Sequence, residues 1–505
     1  MVKSRAQKAF VNTASQMLFE IVTILCGLIL PRLILSTFGS AYNGITQSIS
    51  QFISCFSLLN SGISSVTKAA LYKPLAQNDY YGISEVVNAT RLFIRKISII
   101  FGISILCFSA VYPFIIIEDF SWFFTFSLVL ILSFNAVIGQ YVGLSYKVVL
   151  EADQKRFIFS ISSISVTVVN TIVSVVLING GFSIHAVKIA NTIICFLPAI
   201  FYRIYVGKKY HIRKDVPPNN SLISQRWDAF GHQLANFVNN NTDIIITTIF
   251  LGVYEVSVYT IYNMIAFNIR RLVNSFSLGI NAAFGNMLAK EETDNLKSRF
   301  CQFETMLFVL STIAFIVTAI LYVPFVRIYT HGVTDVNYIR RTLSIMFCIA
   351  GFFECIRGVY EKVVFAAGNF KNTKKYDYAE AIINITISLI LANFLGLVGL
   401  LIGTTVAGIY RMITYNRFAS KFVVPRNSLI IAYKLLYTAI CVVLCCLLSS
   451  FLPLGEINNY MNWFIWAVII FCAVSVLCGS LACLFFSSDM KVLCAMAKGI
   501  IKNKH

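Results

Sequence analysis

Residues 303–327 read FETMLFVLSTIAFIVTAILYVPFVR. The 22 residues between Glu304 and Arg327 carry no charge. As a helix rising 1.5 Å per residue they cover about 33 Å, enough for the ~30 Å hydrocarbon core of a bilayer. The run is too long for a strand and too apolar for a surface helix of a soluble domain, so it is expected to span a membrane.

The pattern recurs outward from this stretch. Apolar runs divided by polar breaks fall at 10–36, 42–66, 92–114, 121–147, 157–178, 183–206, 229–252, 256–287, 340–366, 377–395, 397–421, 428–452 and 461–486, which with 303–327 makes 14. Composition agrees. Apolar residues make up 58% of the 505, and charged residues 12%. An ordinary soluble domain carries about 25% charged residues. Mean hydropathy is +0.77. A soluble enzyme, a disordered chain and a secreted disulfide scaffold are excluded. The expected fold class is an all-α polytopic membrane protein of about 14 transmembrane helices.

Forty-one Lys and Arg against 22 Asp and Glu give a net charge of +19. In a soluble protein this would suggest a nucleic-acid partner; here the cations gather in alternate loops, and no nucleic acid is expected. Lys3, Arg5 and Lys8 precede the first span, and Lys491, Lys498, Lys502 and Lys504 follow the last. Lys73, Arg91, Arg95, Lys155, Arg156, Lys208, Lys209, Lys290, Lys374, Lys375, Arg417 and Arg426 fall on the same side. Opposite loops carry Glu118, Asp119, Glu255, Asp335 and Glu456, with Arg327, Arg340 and Arg341 as exceptions. Lys and Arg favour cytoplasmic loops, so both termini are expected in the cytoplasm. The first apolar run exceeds a signal-peptide core and is expected to stay in the protein. The outer loops are short and offer no chamber for a transferase or polymerase. The 14 cysteines show no zinc-type spacing, and no metal or cofactor is expected.

Self-comparison finds an offset of 213–214 residues. Leu58-Leu59-Asn60-Ser61 parallels Leu272-Val273-Asn274-Ser275, Phe38-Gly39 parallels Leu251-Gly252, and Val168-Val169-Asn170 parallels Ile382-Ile383-Asn384. Six spans per repeat, an even number, implies two parallel repeats around a central cavity, as parallel repeats in transporters meet about an axis along the membrane normal. The expected divisions are residues 1–215, residues 216–426, and residues 427–505 holding two peripheral C-terminal helices and a tail.

Ionisable groups at bilayer depth cost about 2.5–3.5 kcal/mol each on insertion scales, so they mark cavities or partners. In the first span Asn12, Gln16 and Glu20 form one stripe, and in the seventh His232, Asn236, Asn240 and Asp243 form another. Both stripes suit cavity walls or helix-to-helix hydrogen bonds. Glu20 and Asp243 are candidates for a coupling proton or sodium ion. Arg270 and Arg271 lie deep in the eighth span. Arg357 stands between Glu354 and Glu361, at spacings that also permit an ion-pair ladder. Arg32, Lys68 and Lys188 complete a candidate cationic lining. Guanidinium groups grip phosphate through paired hydrogen bonds, so this lining favours an anionic, phosphate-bearing substrate.

Three stretches carry a family resemblance. Leu30-Pro31-Arg32-Leu33 leads to Phe38-Gly39-Ser40-Ala41-Tyr42-Asn43-Gly44. Asn241-Thr242-Asp243-Ile244-Ile245-Ile246 leads to Phe250-Leu251-Gly252 and Val258-Tyr259, with Ser257 where glycine is usual. Ala366-Ala367-Gly368-Asn369-Phe370-Lys371 is followed by Asn384 and Gly396-Leu397-Val398-Gly399. In these the chain resembles the Wzx-type polysaccharide exporters, a branch of the multidrug, oligosaccharidyl-lipid and polysaccharide (MOP) exporter superfamily, over almost its whole length. The resemblance implies two six-helix bundles with alternating access. It implies flipping of a polyprenyl-diphosphate-linked oligosaccharide to the outer leaflet of a bacterial or archaeal plasma membrane, with a glycan polymerase as a partner. A peptidoglycan-precursor flippase and a cation-coupled drug antiporter are the alternatives within the superfamily.

Overall fold

The computed structural model describes residues 5–57, 61–116, 120–153, 155–213, 215–219, 241–277, 280–449 and 457–502. Its helices are α1 (Arg5–Phe38), α2 (Ser40–Ser57), α3 (Ser61–Gln77), α4 (Tyr80–Val111), α5 (Trp122–Phe134), α6 (Gln140–Ala152), α7 (Arg156–Asn179) and α8 (Ile184–Lys209). A helical stretch over 241–250, here α9, follows. Then come α10 (Val253–Ser275), α11 (Ile280–Ala289), α12 (Thr293–Tyr329), α13 (Arg341–Ala366), α14 (Phe370–Leu395), α15 (Leu397–Phe422), α16 (Ile430–Ser449), α17 (Tyr460–Phe485) and α18 (Ser487–Lys502). No strand occurs among the described residues.

Helix starts follow local chemistry. The side chains of Asp79, Ser121, Ser183 and Asn459 each accept a backbone N–H in the first turn of α4, α5, α8 and α17, which satisfies donors the helix itself cannot. Between α5 and α6 the helix runs on through a π-bulge at Asn135–Gly139.

Eleven helices among the described residues are long and apolar enough to cross a membrane, against the 14 spans expected. The run 42–66 is divided into α2 and α3. Half of 229–252, residues 229–240, lies outside the described residues. In 256–287, α10 is diluted by Asn263, Asn268, Arg270 and Arg271. The chain is a multi-pass membrane protein. Its outward faces confirm the solvent: the most apolar window of α1 is 11% buried, and those of α7 and α8 are each 17%. Ile21, Leu25, Ile172, Val176, Ile193 and Leu197 stand exposed on these helices. In water each would forgo about 1.5–3 kcal/mol of burial, whereas lipid tails accept it.

The chain divides into two compact units, Met1–Ser257 and Val258–His505. In the first, α1 packs on α7 and α6 on α8, and Asn43 Nδ2 donates to Ser257 Oγ (2.8 Å). In the second, α12, α13 and α15 are the inner helices, with 61%, 50% and 56% of their windows buried. Gly399 and Gly403 let α15 press onto α14; a Cβ at Gly399 would lie 2.1 Å from the Leu391 carbonyl oxygen. The faces of α16 and α17 that meet α12 form an apolar cluster around Val309, Ile313, Tyr437, Cys441 and Val474. Leu436, Val443, Leu447, Phe464 and Val476 face outward. That is the arrangement of peripheral helices.

The repeat seen in the sequence recurs in the backbone. Ser40 and Val253, Tyr80 and Thr293, and Ile184 and Leu397 open helices, and Lys209 and Phe422 close them, each pair 213 residues apart. Gly39 and Gly252, also 213 apart, both sit at left-handed φ (92° and 87°) just before α2 and α10.

Candidate functional site

The polar stripe of α1 lies along its seam with α7. Asn12 Oδ1 accepts from the Phe157 N–H (2.9 Å), Gln16 Oε1 accepts from Ser160 Oγ (3.2 Å), and Gln16 Nε2 donates to Glu20 Oε1 (2.7 Å). Asp243, on α9, is buried, and its carbonyl accepts from Thr247 Oγ1 (2.7 Å). His232, Asn236 and Asn240 lie outside the described residues.

Of the cations expected in the first unit, Arg32 is half-buried near the end of α1. Lys68 on α3 pairs with Glu151 on α6 (2.7 Å). Lys188 on α8 has no ion-pair partner among the described residues.

In the second unit the charges form two groups. Arg270 pairs with Glu354 and donates to Asn263 Oδ1 (3.2 Å). Arg271, its neighbour, is half-buried. Arg357 pairs with Glu380 and lies 3.7 Å from Glu361, one turn further along α13. The array centres on Arg411 of α15, which reaches Glu380 (2.5 Å), Glu361 (2.8 Å) and Asp377 (3.4 Å). Tyr415 donates to Asp377 (2.7 Å). Two guanidiniums and three carboxylates thus tie α13, α14 and α15 together at one level. Arg270 and Arg357 are both engaged by carboxylates, so an anionic ligand would compete with Glu354 and Glu380 for them.

The other group is built on Glu304 of α12, which is fully buried. It receives Arg426 through two bonds (2.6 and 2.7 Å), Lys434 (2.8 Å) and the Tyr360 hydroxyl (2.6 Å). Thr305 Oγ1 continues the chain to Asp489 of α18 (2.6 Å). This group fastens α16 and α18 to α12.

Sequence reasoning missed Glu304, Asp377, Glu380, Arg411 and Lys434 as a partnered set. All five lie within apolar runs, and that was the available signal. It also ended one span at Lys147, whereas α6 continues to Ala152 and carries Lys147 inside.

No family model and no curated relative matches the sequence. Solved structures do. The chain resembles the lipid II flippase MurJ in an inward closed conformation at a TM-score of 0.67 and 15% identity, covering 92% of this chain and 99% of that one. At that identity the likeness is one of fold. An inward-facing multidrug-resistance MATE transporter of the MOP superfamily matches at 0.57 and 14% identity, over 82% and 98% of the two chains. A eukaryotic MATE transporter, AtDTX14, matches at 0.55 and 12%, over 84% and 97%. The shared fold leaves the cargo to be argued from this chain's own side chains.

Proposed function

We propose that the chain is an alternating-access flippase that moves a polyprenyl-diphosphate-linked oligosaccharide from the inner to the outer leaflet for surface polysaccharide synthesis. The observation that carries this reading is the extent of the likeness to a lipid flippase, 92% of the chain against 82% for a MATE transporter. Supporting it, Arg270 and Arg357 place guanidinium groups at membrane depth, the chemistry suited to a diphosphate. Glu20 and Asp243 are the proposed sites for a coupling proton or sodium ion. The proposed setting is a bacterial or archaeal plasma membrane with both termini in the cytoplasm and a glycan polymerase acting on the product.

A second reading, a peptidoglycan-precursor flippase, is favoured by the MurJ likeness itself. One experiment separates the readings: lipid extraction from depleted cells with surface polysaccharide assayed in parallel. Accumulation of a polyprenyl-diphosphate oligosaccharide with loss of the surface glycan is expected. Accumulation of a peptidoglycan precursor selects the second reading. Normal lipid intermediates and normal glycan overturn both and point to cation-coupled drug efflux.

A further inference from the structure

The first unit carries an open-mouthed cavity of about 590 Å³ lined by α1, α3, the π-bulge, α6, α7 and α8. Lys147 lines it, with its ammonium 4.1 Å from the centre of the Phe159 ring. The natural partner of Lys147 is Glu151, one turn further along α6. Glu151 is instead held by Lys68 of α3 at 2.7 Å. No carboxylate pairs with Lys147 among the described residues.

Two more polar side chains are left open beside it. Asn135 is turned onto the wall by the π-bulge, a helix irregularity that often marks functional positions. Ser64 approaches from α3. Neither makes a side-chain hydrogen bond among the described residues. One wall is aromatic, formed by Phe19 and Phe159, whose rings meet edge to face at 6.4 Å. Gly143 sits where a Cβ would be 2.8 Å from that of Ala199, so α6 and α8 close tightly against each other here.

A cation without a carboxylate partner, resting over one ring, and an amide and a hydroxyl without hydrogen bonds among the described residues, all beside an aromatic wall, describe a definite ligand. A lipid tail would use the rings and strand the polar groups. An inorganic anion would use Lys147 and leave the rings idle. A hydroxylated ring bearing one negative charge uses all of them: ring C–H faces on the aromatics, hydroxyls on Asn135 and Ser64, the anion on Lys147. We infer that the cavity inside the first unit binds an anionic sugar residue, a uronate or a sugar phosphate, with Lys147 as its counter-ion. The inference rests on the flippase reading for one point only, that the sugar arrives on a lipid carrier.

The test uses the full chain in lipid nanodiscs, with binding read by saturation-transfer NMR. Glucuronate and glucose 1-phosphate are the free probes, glucose is the neutral control, and a short polyprenyl-diphosphate-linked disaccharide ending in glucuronate is the carrier-bound probe. The acidic probes should bind and glucose should not. Lys147→Gln should weaken acidic binding at least tenfold, Lys147→Arg should restore most of it, and Asn135→Ala should weaken it less. Unchanged thermal unfolding of each variant separates lost binding from lost fold. Glucose binding as well as glucuronate, or undiminished binding by K147Q, overturns the site. Binding of the free acids without binding of the carrier-bound disaccharide upholds the site and removes the lipid-linked cargo.

Discussion

Asn78 and Glu291, 213 residues apart, are both held in the left-handed region, at φ 53° and 56°. Each ends a helical segment and precedes a long helix, α4 or α12. Asparagine tolerates this conformation, whereas glutamate there costs on the order of 1 kcal/mol. Glu291 is exposed. Glu291→Gly should therefore stabilise the protein by about 0.5–1 kcal/mol, and Asn78→Gly should change little. Thermal unfolding in nanodiscs checks this. Equal responses at the two sites would contradict the strain argument.

Among the described residues Glu304 is the only carboxylate at salt-bridge distance from the Arg426 guanidinium, and it also holds Lys434. Glu304→Gln leaves two cations at a buried site short of their counter-charge. Breaking a buried pair in this way costs about 3–5 kcal/mol. The variant should show a lowered unfolding temperature and early cleavage in the segment joining α15 to α16. A wild-type unfolding curve would show that the group is held by packing around Val309 and Tyr437 rather than by charge.

The all-helical, multi-pass character was legible in the sequence because it is a one-dimensional signal, although 11 helices among the described residues, against the 14 expected, are long and apolar enough to cross a membrane. A lipid-facing helix needs about 20 apolar residues whatever it touches, and a duplicated unit keeps its offset. Partner choice was not legible. Arg270 meets Glu354 across 84 positions, and Arg426 meets Glu304 across 122. The i,i+4 rule selected Glu361 for Arg357, and that contact exists at 3.7 Å. The closer partner of Arg357 is Glu380 of α14. The same rule would give Glu151 to Lys147, but α3 brings Lys68 nearer. Helix-to-helix packing outranks local spacing wherever a second helix supplies the counter-charge.

Arg411 and Glu380 should behave as a coupled pair. Arg411→Gln strands Glu361, Asp377 and Glu380, and Glu380→Gln strands part of two guanidiniums. Each single change should destabilise by about 3–5 kcal/mol. The double change removes one charge of each sign, so its cost should fall below the sum of the singles by about 1–3 kcal/mol. A double-mutant cycle on unfolding free energy measures this directly. Strict additivity would mean that the two groups do not share one electrostatic site.

Under the proposed function, the pairing of Arg270 with Glu354 gives a test of the substrate path. If the diphosphate takes Arg270, it does so by displacing Glu354. A charge-assisted hydrogen bond contributes about 1.5–3 kcal/mol, and 1.4 kcal/mol is a factor of ten in an equilibrium constant. Arg270→Gln should thus lower transport roughly tenfold or more. Glu354→Gln removes the competitor while keeping the guanidinium, so it should retain transport and tighten cargo binding. Accumulation of the lipid-linked intermediate in complemented cells, together with cargo binding to purified protein, gives both readouts. Equal loss in the two variants, with normal insertion, would assign the pair to holding α10 on α13 and remove Arg270 from the substrate path.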